Sequence, residues 1–247
     1  MIESLKGKVA VISGAGSGFA KATAELFSKD QCNFVLIDIN ETGLEATAKN
    51  CQASGSKVVY FKGDVTKIET WQRALKECTE NYGKIDFLIN YAGGAIKVAP
   101  IEEMDDETNR KIMDLNLTSV IMSCRTFTPL FKKQKYGKII NVSSACEKRS
   151  WPGWSVYSAA KSGVNSFSRC LYTELRPEGI CVTTLVPGGS NTNFQTAEGV
   201  DKFEWDESLA VRPEHFADMV YQICALSKGG CVPEIILYGL AQDVAGY

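Results

Sequence analysis

Tyr157 and Lys161 stand four residues apart in the stretch S-V-Y-S-A-A-K. One helical turn brings positions i and i+4 to the same side, so a phenol and an amine would be neighbours there. Free tyrosine, with a pKa of about 10, is a poor base at neutral pH, and a nearby cation favours its phenolate. The pair is therefore either a proton-transfer device or one face of an ordinary amphipathic helix. The spacing alone does not choose between them.

A second feature lies near the other end of the chain. Ser13-Gly14-Ala15-Gly16-Ser17-Gly18-Phe19-Ala20 follows the apolar run K-V-A-V-I-S and opens a segment with helical periodicity. Glycines there let the backbone turn tightly and approach a ligand, and the N–H groups and dipole of a helix start suit a pyrophosphate. The second apolar run ends in Asp38, twenty residues after Gly18. An acid at that place suits the adenosine ribose hydroxyls of NAD and repels a ribose phosphate. Neighbouring Ser17 and Ile39 offer no cation, which favours NAD (NADH) over NADP. The plainer reading of Asp38 is a strand-end cap.

The elements that must position these groups alternate along the chain. Apolar β-rich runs cover Lys8–Ser13, Asn33–Asp38, Lys57–Asp64, Ile85–Asn90, Gly137–Ser144, Ile180–Gly188 and Pro233–Gly239. Helical periodicity covers Phe19–Lys29, Glu41–Ser54, Ile68–Tyr82, Thr108–Lys133, Ser155–Arg176 and Pro213–Ser227. Continuous apolar strands are buried on both faces, as in a parallel sheet covered by helices. The expectation is α/β: a single-domain, Rossmann-like, doubly wound parallel sheet of about seven strands spanning 1–247. Longer loops at Gly93–Asp106 and Gly188–Arg212 leave strand carboxyl ends, where ligands bind in such sheets, and are the candidate substrate walls.

Composition narrows the function classes. The net charge of −2 gives no general case for nucleic acid or an anionic membrane, and no apolar run is long enough to span a bilayer. The opening M-I-E-S-L-K-G-K-V-A-V-I-S-G lacks a leader pattern, so a cytoplasmic protein is expected. Nine scattered cysteines without a C-x-x-C pair point to reduced, mostly buried thiols, with neither a disulfide framework nor a zinc site. The single histidine, His215, follows Pro213 at a helix start and is read as a helix-start or surface residue.

Taken in order, these motifs resemble the short-chain dehydrogenases/reductases over nearly the whole chain. The glycine motif T-G-x-x-x-G-x-G becomes Ser13 to Ala20, with Ser13 for threonine and Ala20 for the last glycine. Asp64-Val65 matches the adenine-binding pair, and Asn90-Tyr91-Ala92-Gly93 matches N-N-A-G, with Tyr91 replacing an asparagine. Asn116, Ser144 and the Tyr157/Lys161 pair match the catalytic set, and P-G-G-S-N-T matches the segment after the sixth strand. The resemblance implies reversible hydride transfer between NAD(H) and an alcohol/carbonyl pair. Tyr157 would be the acid/base and Ser144 would hold the substrate oxygen. Lys161 would assist Tyr157 and bind the nicotinamide ribose, and Asn116 would hold a proton-relaying water. It further implies that Pro187, Gly188, Ser190 and Thr192 cradle the nicotinamide and that the chain forms a homotetramer or homodimer. An NADPH-dependent carbonyl reductase of 3-oxoacyl type is the alternative, and a non-catalytic dinucleotide-binding regulator a weaker one.

The substrate is less legible: a small, polar molecule is expected. Trp151 and Trp154 are possible walls of an apolar pocket. Arg149 or Lys97 could hold an anionic group, and Phe194 belongs to an acidic and aromatic lid. The plainer reading of Arg149 and Lys97 is solvated loop charge.

Overall fold

Valine, isoleucine, leucine and phenylalanine fill the central runs and are shielded on both faces, so these settle as inner strands of one sheet, with two less buried strands at its edges. The strands are Val9–Ser13 (β1), Asn33–Asp38 (β2), Val58–Lys62 (β3), Phe87–Asn90 (β4), Gly137–Val142 (β5), Ile180–Pro187 (β6) and Glu234–Leu237 (β7). They run parallel in the order β3-β2-β1-β4-β5-β6-β7, the doubly wound arrangement expected. The computed structural model describes residues 2–149, 151–189 and 209–240.

The helices are Gly18–Lys29 (α1), Glu41–Ala53 (α2), Ile68–Tyr82 (α3), Asp106–Met113 (α4), Ser119–Gln134 (α5), Ser155–Leu175 (α6) and Pro213–Ala225 (α7). Successive strand side chains point to opposite faces. Ala10 and Ile12 therefore join a core with Phe27 of α1, Leu44 of α2 and Phe216 of α7. Val9 and Val11 join another with Trp71 of α3, Phe127 of α5 and Val164 of α6.

Two expectations are corrected. The helix expected over Thr108–Lys133 is interrupted by a π-helical turn at Asp114–Thr118, between α4 and α5. The Asn116 amide donates to Ile112 O at 2.9 Å, the carbonyl four residues back, and so competes with the helical ladder there. The cysteines are not all reduced: Cys181 and Cys231 form a disulfide, with Cα atoms 5.6 Å apart. Fifty residues separate them in sequence, but adjacent parallel strands bring them side by side. The other seven cysteines are free. His215 lies in the first turn of α7, bonded to Arg212, a helix-start place as expected. Among the described residues no helix is long and apolar enough to cross a membrane, and no cluster of metal ligands occurs.

Candidate active site

The carboxyl ends of β1, β4, β5 and β6 carry the residues of interest. Ser13 Oγ closes the end of β1 against β4 by accepting the Ala92 N–H at 3.3 Å. Gly14 follows with φ +75°, and a Cβ there would lie 3.0 Å from Ala92 N, so the turn needs glycine for its conformation and for the close approach. At the start of α1, the Ser17 side chain makes no cap hydrogen bond and the first turn holds no acid. By contrast, Asn40 caps α2 and Asp105 caps α4. The α1 terminus thus has no cap from its own first turn, which leaves its N–H groups for an anionic group, while Asp38 stands at the turn before it. Ala20 is buried in the core, which accommodates its methyl.

Asp38 faces this turn. Its carboxylate accepts the Gly16 N–H at 2.7 Å and the Asn40 N–H at 2.8 Å. Ile39 beside it is 65% exposed, an apolar face next to a carboxylate. After β3, Asp64 accepts both the N–H and the hydroxyl of Thr66, and the Val65 carbonyl accepts Trp71 Nε1 at 2.9 Å.

At the end of β4 the Asn90 side chain is buried: the Nδ2 donates to Asn141 Oδ1 at 2.8 Å and the Oδ1 accepts from Ser123 at 2.7 Å, which leaves the Asn90 backbone to face a cofactor. Asn141 continues to Ser168, so a buried polar chain ties β4, β5, α5 and α6 together. Tyr91 takes the opposite face. Its hydroxyl meets Thr23 Oγ1 of α1 at 2.7 Å, and its ring lies 6.5 Å from that of Phe19. Burial pushes the Tyr91 phenol well above its usual range. The bulky replacement is thus a latch from β4 onto the helix that follows the glycine turn.

Asn116, Lys161 and Gly93 meet at one point. The π-helical turn aims Asn116 at Gly94, whose N–H donates to its Oδ1 at 3.0 Å and whose carbonyl accepts its Nδ2 at 2.8 Å. A Cβ on Gly93 would lie 2.8 Å from Asn116 Oδ1 and 3.1 Å from Lys161 Nζ, so only glycine lets these groups close in. Lys161 Nζ donates to Val142 O at 2.9 Å, and Ser143 Oγ donates to Lys161 O at 2.9 Å. Ser144 Oγ accepts the Cys146 N–H at 3.2 Å, and the Ser144 hydroxyl acts to lower the Tyr157 phenol against the effect of burial.

Tyr157 and Lys161 sit on one face of α6, 5% and 3% exposed, with the Lys161 Nζ 5.7 Å from the ring centre. Their electrostatics differ from the simple expectation. Burial pushes the Tyr157 phenol well up, and the neighbouring Cys146 thiol adds to the effect. Burial brings the Lys161 amine down to about 8. In this structure desolvation dominates both groups, raising the phenol and lowering the amine.

On the open side, Tyr157 packs with Ala99, Met104 and Ile112, and with half-buried Cys146, Trp154 and Val156. The Trp154 ring meets Tyr157 edge-on at 5.6 Å. The Arg149 guanidinium lies over the Trp151 ring at 5.6 Å, and Lys97 is half-buried on the loop after β4. That loop is joined to the one before α6 by an Ala99 N–H to Gly153 O bond of 3.3 Å. At the end of β6, the Gly188 N–H next to Pro187 donates to Leu237 O at 2.9 Å. Ser190, Thr192 and Phe194 lie outside the described residues. The sequence reading missed Cys146, although it stands two residues after Ser144, and the latch between Tyr91 and Thr23.

A doubly wound sheet with an uncapped first helix and a buried tyrosine–lysine pair above its strand ends defines a dinucleotide-fold oxidoreductase. The model of the short chain dehydrogenase family matches residues 8–202, and the chain belongs to that family. It is 33% identical over 205 residues to a diacetyl reductase, (S)-acetoin forming, of Staphylococcus epidermidis, covering 83% of this chain and 79% of that one. Among solved structures, an alcohol dehydrogenase from Thermococcus sibiricus complexed with 5-hydroxy-NADP superposes with a TM-score of 0.84 at 26% identity. That match covers 95% of this chain and 97% of the other. A 3-ketoacyl-(acyl-carrier-protein) reductase from Brucella melitensis complexed with NADH gives a TM-score of 0.83 at 27% identity, covering 94% and 98%.

Proposed function

We propose that the chain is an alcohol dehydrogenase/carbonyl reductase that uses NAD(H) and the set Asn116, Ser144, Tyr157 and Lys161. The observation that carries this reading is Lys161 Nζ at 5.7 Å from the centre of the Tyr157 ring, both side chains buried on one face of α6. A bound nicotinamide dinucleotide would supply or accept the hydride. The residues that would hold it are Ser13 to Phe19, Asp38, Ile39, Asp64, Val65, Ala92, Gly93, Pro187 and Gly188, together with Tyr157 and Lys161. Their fit rests on the uncapped start of α1 and the carboxylate at Gly16.

Ser144 orients the substrate oxygen, and Tyr157 passes a proton to it in reduction or takes one in oxidation. A phenol held neutral by burial carries the proton that carbonyl reduction consumes, whereas alcohol oxidation requires that proton to be lost first. Lys161 and Asn116 flank Gly93 and provide the polar route by which Tyr157 regains its proton.

Asp38 supports NAD, because a ribose diol can donate to a carboxylate while a phosphate is repelled. One observation favours NADP as a second reading: Lys62 is the register neighbour of Asp38, although it also lies 3.7 Å from Glu41. Fluorescence titration with NADH and NADPH separates the two; tight binding of NADPH alone overturns the Asp38 reading. The apolar packing at Tyr157 supports a compact ketone or secondary alcohol with an apolar flank, in the manner of the diketone named for the Staphylococcus relative. This adds an apolar flank to the small, polar substrate expected and agrees with Trp154 as a wall of an apolar pocket. A screen of small ketones with either cofactor tests it. The family likeness also supports a homotetramer or homodimer, which sedimentation measures.

A further inference from the structure

The Cys181–Cys231 bridge lies at the end of the sheet opposite Tyr157. Each cysteine stands three residues before the first β6–β7 ladder pair, Thr184 and Glu234. The strand that the bridge secures is weak by itself. β7 has four residues, none fully buried, and pairs with β6 alone among the described residues.

Yet β7 supports the active site at two places. Leu237 O accepts the Gly188 N–H at 2.9 Å, beside the proposed nicotinamide position. Glu234 Oε1 pairs with Lys148 at 2.9 Å, in the turn that follows Ser144, and accepts from Asn165 of α6 at 3.3 Å. Lys148 also pairs with Glu147 at 2.9 Å. Whatever loosens β7 therefore reaches both the Gly188 corner and the Ser144 turn.

A cavity of about 120 Å³ lies beside the bridge, lined by Cys181 and by Lys135, Lys138 and Lys228; Lys135 is paired with Glu178, and the Lys138 amine is held by the Ile223, Cys224 and Leu226 carbonyls. Cationic surroundings attract an anionic thiol and favour the thiolate forms that exchange requires. Five of the free thiols, including Cys32 and Cys124, are buried and closed to such a reagent.

We infer that Cys181–Cys231 is a reducible control bridge, opened by a small anionic thiol entering this cavity, and that its opening weakens dinucleotide binding. The incoming thiolate attacks one bridge sulfur. A mixed disulfide forms as the Cys181–Cys231 bond breaks, and the released cysteine thiolate takes a proton from water. A second thiol of the same class then displaces the first, leaving two cysteine thiols and one small-molecule disulfide. The effect on binding rests on the dinucleotide site proposed above; the exchange chemistry does not.

The test uses the full chain, oxidised in air and then treated with reduced glutathione. Alkylation with peptide mass mapping reads the cysteines, and fluorescence titration reads the dissociation constant for NADH. Alkylation of Cys181 and Cys231 is expected, with a dissociation constant raised about tenfold, a typical coupling between sites. Oxidised glutathione restores tight binding. Cys231→Ser, at a half-buried position, is expected to show the weak value and to ignore glutathione. Bridge cysteines that stay unlabelled while exposed Cys170 reacts, or opening with no change in affinity, overturn the inference. If NADPH binds in place of NADH, the same titration is run with NADPH, so an error in the cofactor reading is separate from an error about the bridge. If Cys231→Ser does not fold, the reversible titration of the unaltered chain decides.

Discussion

Lys161 Nζ stands 5.7 Å from the centre of the Tyr157 ring, with both side chains buried on one face of α6. Burial lowers the Lys161 pKa from 10.5 to about 8. Between those values the folded chain releases a proton that the unfolded chain keeps, so stability rises with pH across that window. Below pH 8 the cost of the buried ammonium is fully present, about 3 kcal/mol for a shift of that size. Lys161→Met removes the charge and keeps the bulk. The variant is expected to melt higher relative to the parent at pH 7 than at pH 10. Melting curves at both values measure this, and a difference independent of pH contradicts it.

Tyr157→Phe keeps the ring and its edge-on contact with Trp154 while deleting the transferable proton. Turnover is expected to fall by about a hundred- to ten-thousandfold, the usual contribution of a general acid or base. The dinucleotide should still bind, with a loss of about 0.5–1.5 kcal/mol for one hydrogen bond from the phenol, far smaller than the loss of turnover. Parallel activity assays and titrations check both, and undiminished turnover removes Tyr157 from the mechanism.

Asp38→Asn retains an acceptor for the Gly16 N–H, now 2.7 Å from a carboxylate oxygen, and removes the negative charge. The ratio of NADPH to NADH affinity is expected to rise about tenfold, equivalent to about 1.4 kcal/mol of relieved repulsion. Titration of both cofactors measures it; an unchanged ratio shows that Asp38 does not discriminate between them.

These outcomes bear on how much was legible beforehand. The five inner strands could be read because burial on both faces writes itself as unbroken apolar runs, the edge strands β3 and β7 because they keep the alternation with helices, and β2 and α3 carry the expected boundaries. The π-helical turn at Asp114–Thr118 could not, because the helical periodicity runs through it and only the local bonding of Asn116 opens it. The side-chain partners of Asn90 were hidden because a motif names a position and not what lies beside it in the fold. The Cys181–Cys231 bridge depends on which strands are neighbours, a tertiary fact. The raised phenol of Tyr157 depends on burial, which the spacing of Tyr157 and Lys161 does not report.

Tyr91→Phe leaves the fully buried Thr23 hydroxyl without its 2.7 Å partner. An orphaned buried hydroxyl costs about 1–3 kcal/mol, whereas removing both partners together is nearly neutral. Chemical denaturation should show Tyr91→Phe destabilised by about that amount, with Thr23→Val added to it recovering most of the loss. A double variant whose loss equals the sum of the single losses would mean that the contact carries no coupling.

Ile96 lies on the loop between β4 and α4 with φ +61°, a region that β-branched residues rarely enter. The Lys97 N–H donates to Ala95 O at 2.7 Å across it, which makes a three-residue turn of the strained kind. Such a conformation costs about 1–3 kcal/mol and persists where surrounding structure enforces it. Here the enforcement comes from the neighbouring segment, where Ala99 is bonded to Gly153 beside the Trp154 and Tyr157 contact. Ile96→Gly releases the strain but frees the loop in the unfolded chain, so the net stability change should stay within about 1 kcal/mol. The loop that walls the substrate side also becomes less fixed, so KM for the carbonyl substrate should rise while the dinucleotide constant holds. A loss of several kcal/mol on denaturation, with KM unchanged, would show that the Ile96 side chain matters for packing and that its backbone turn does not shape the site.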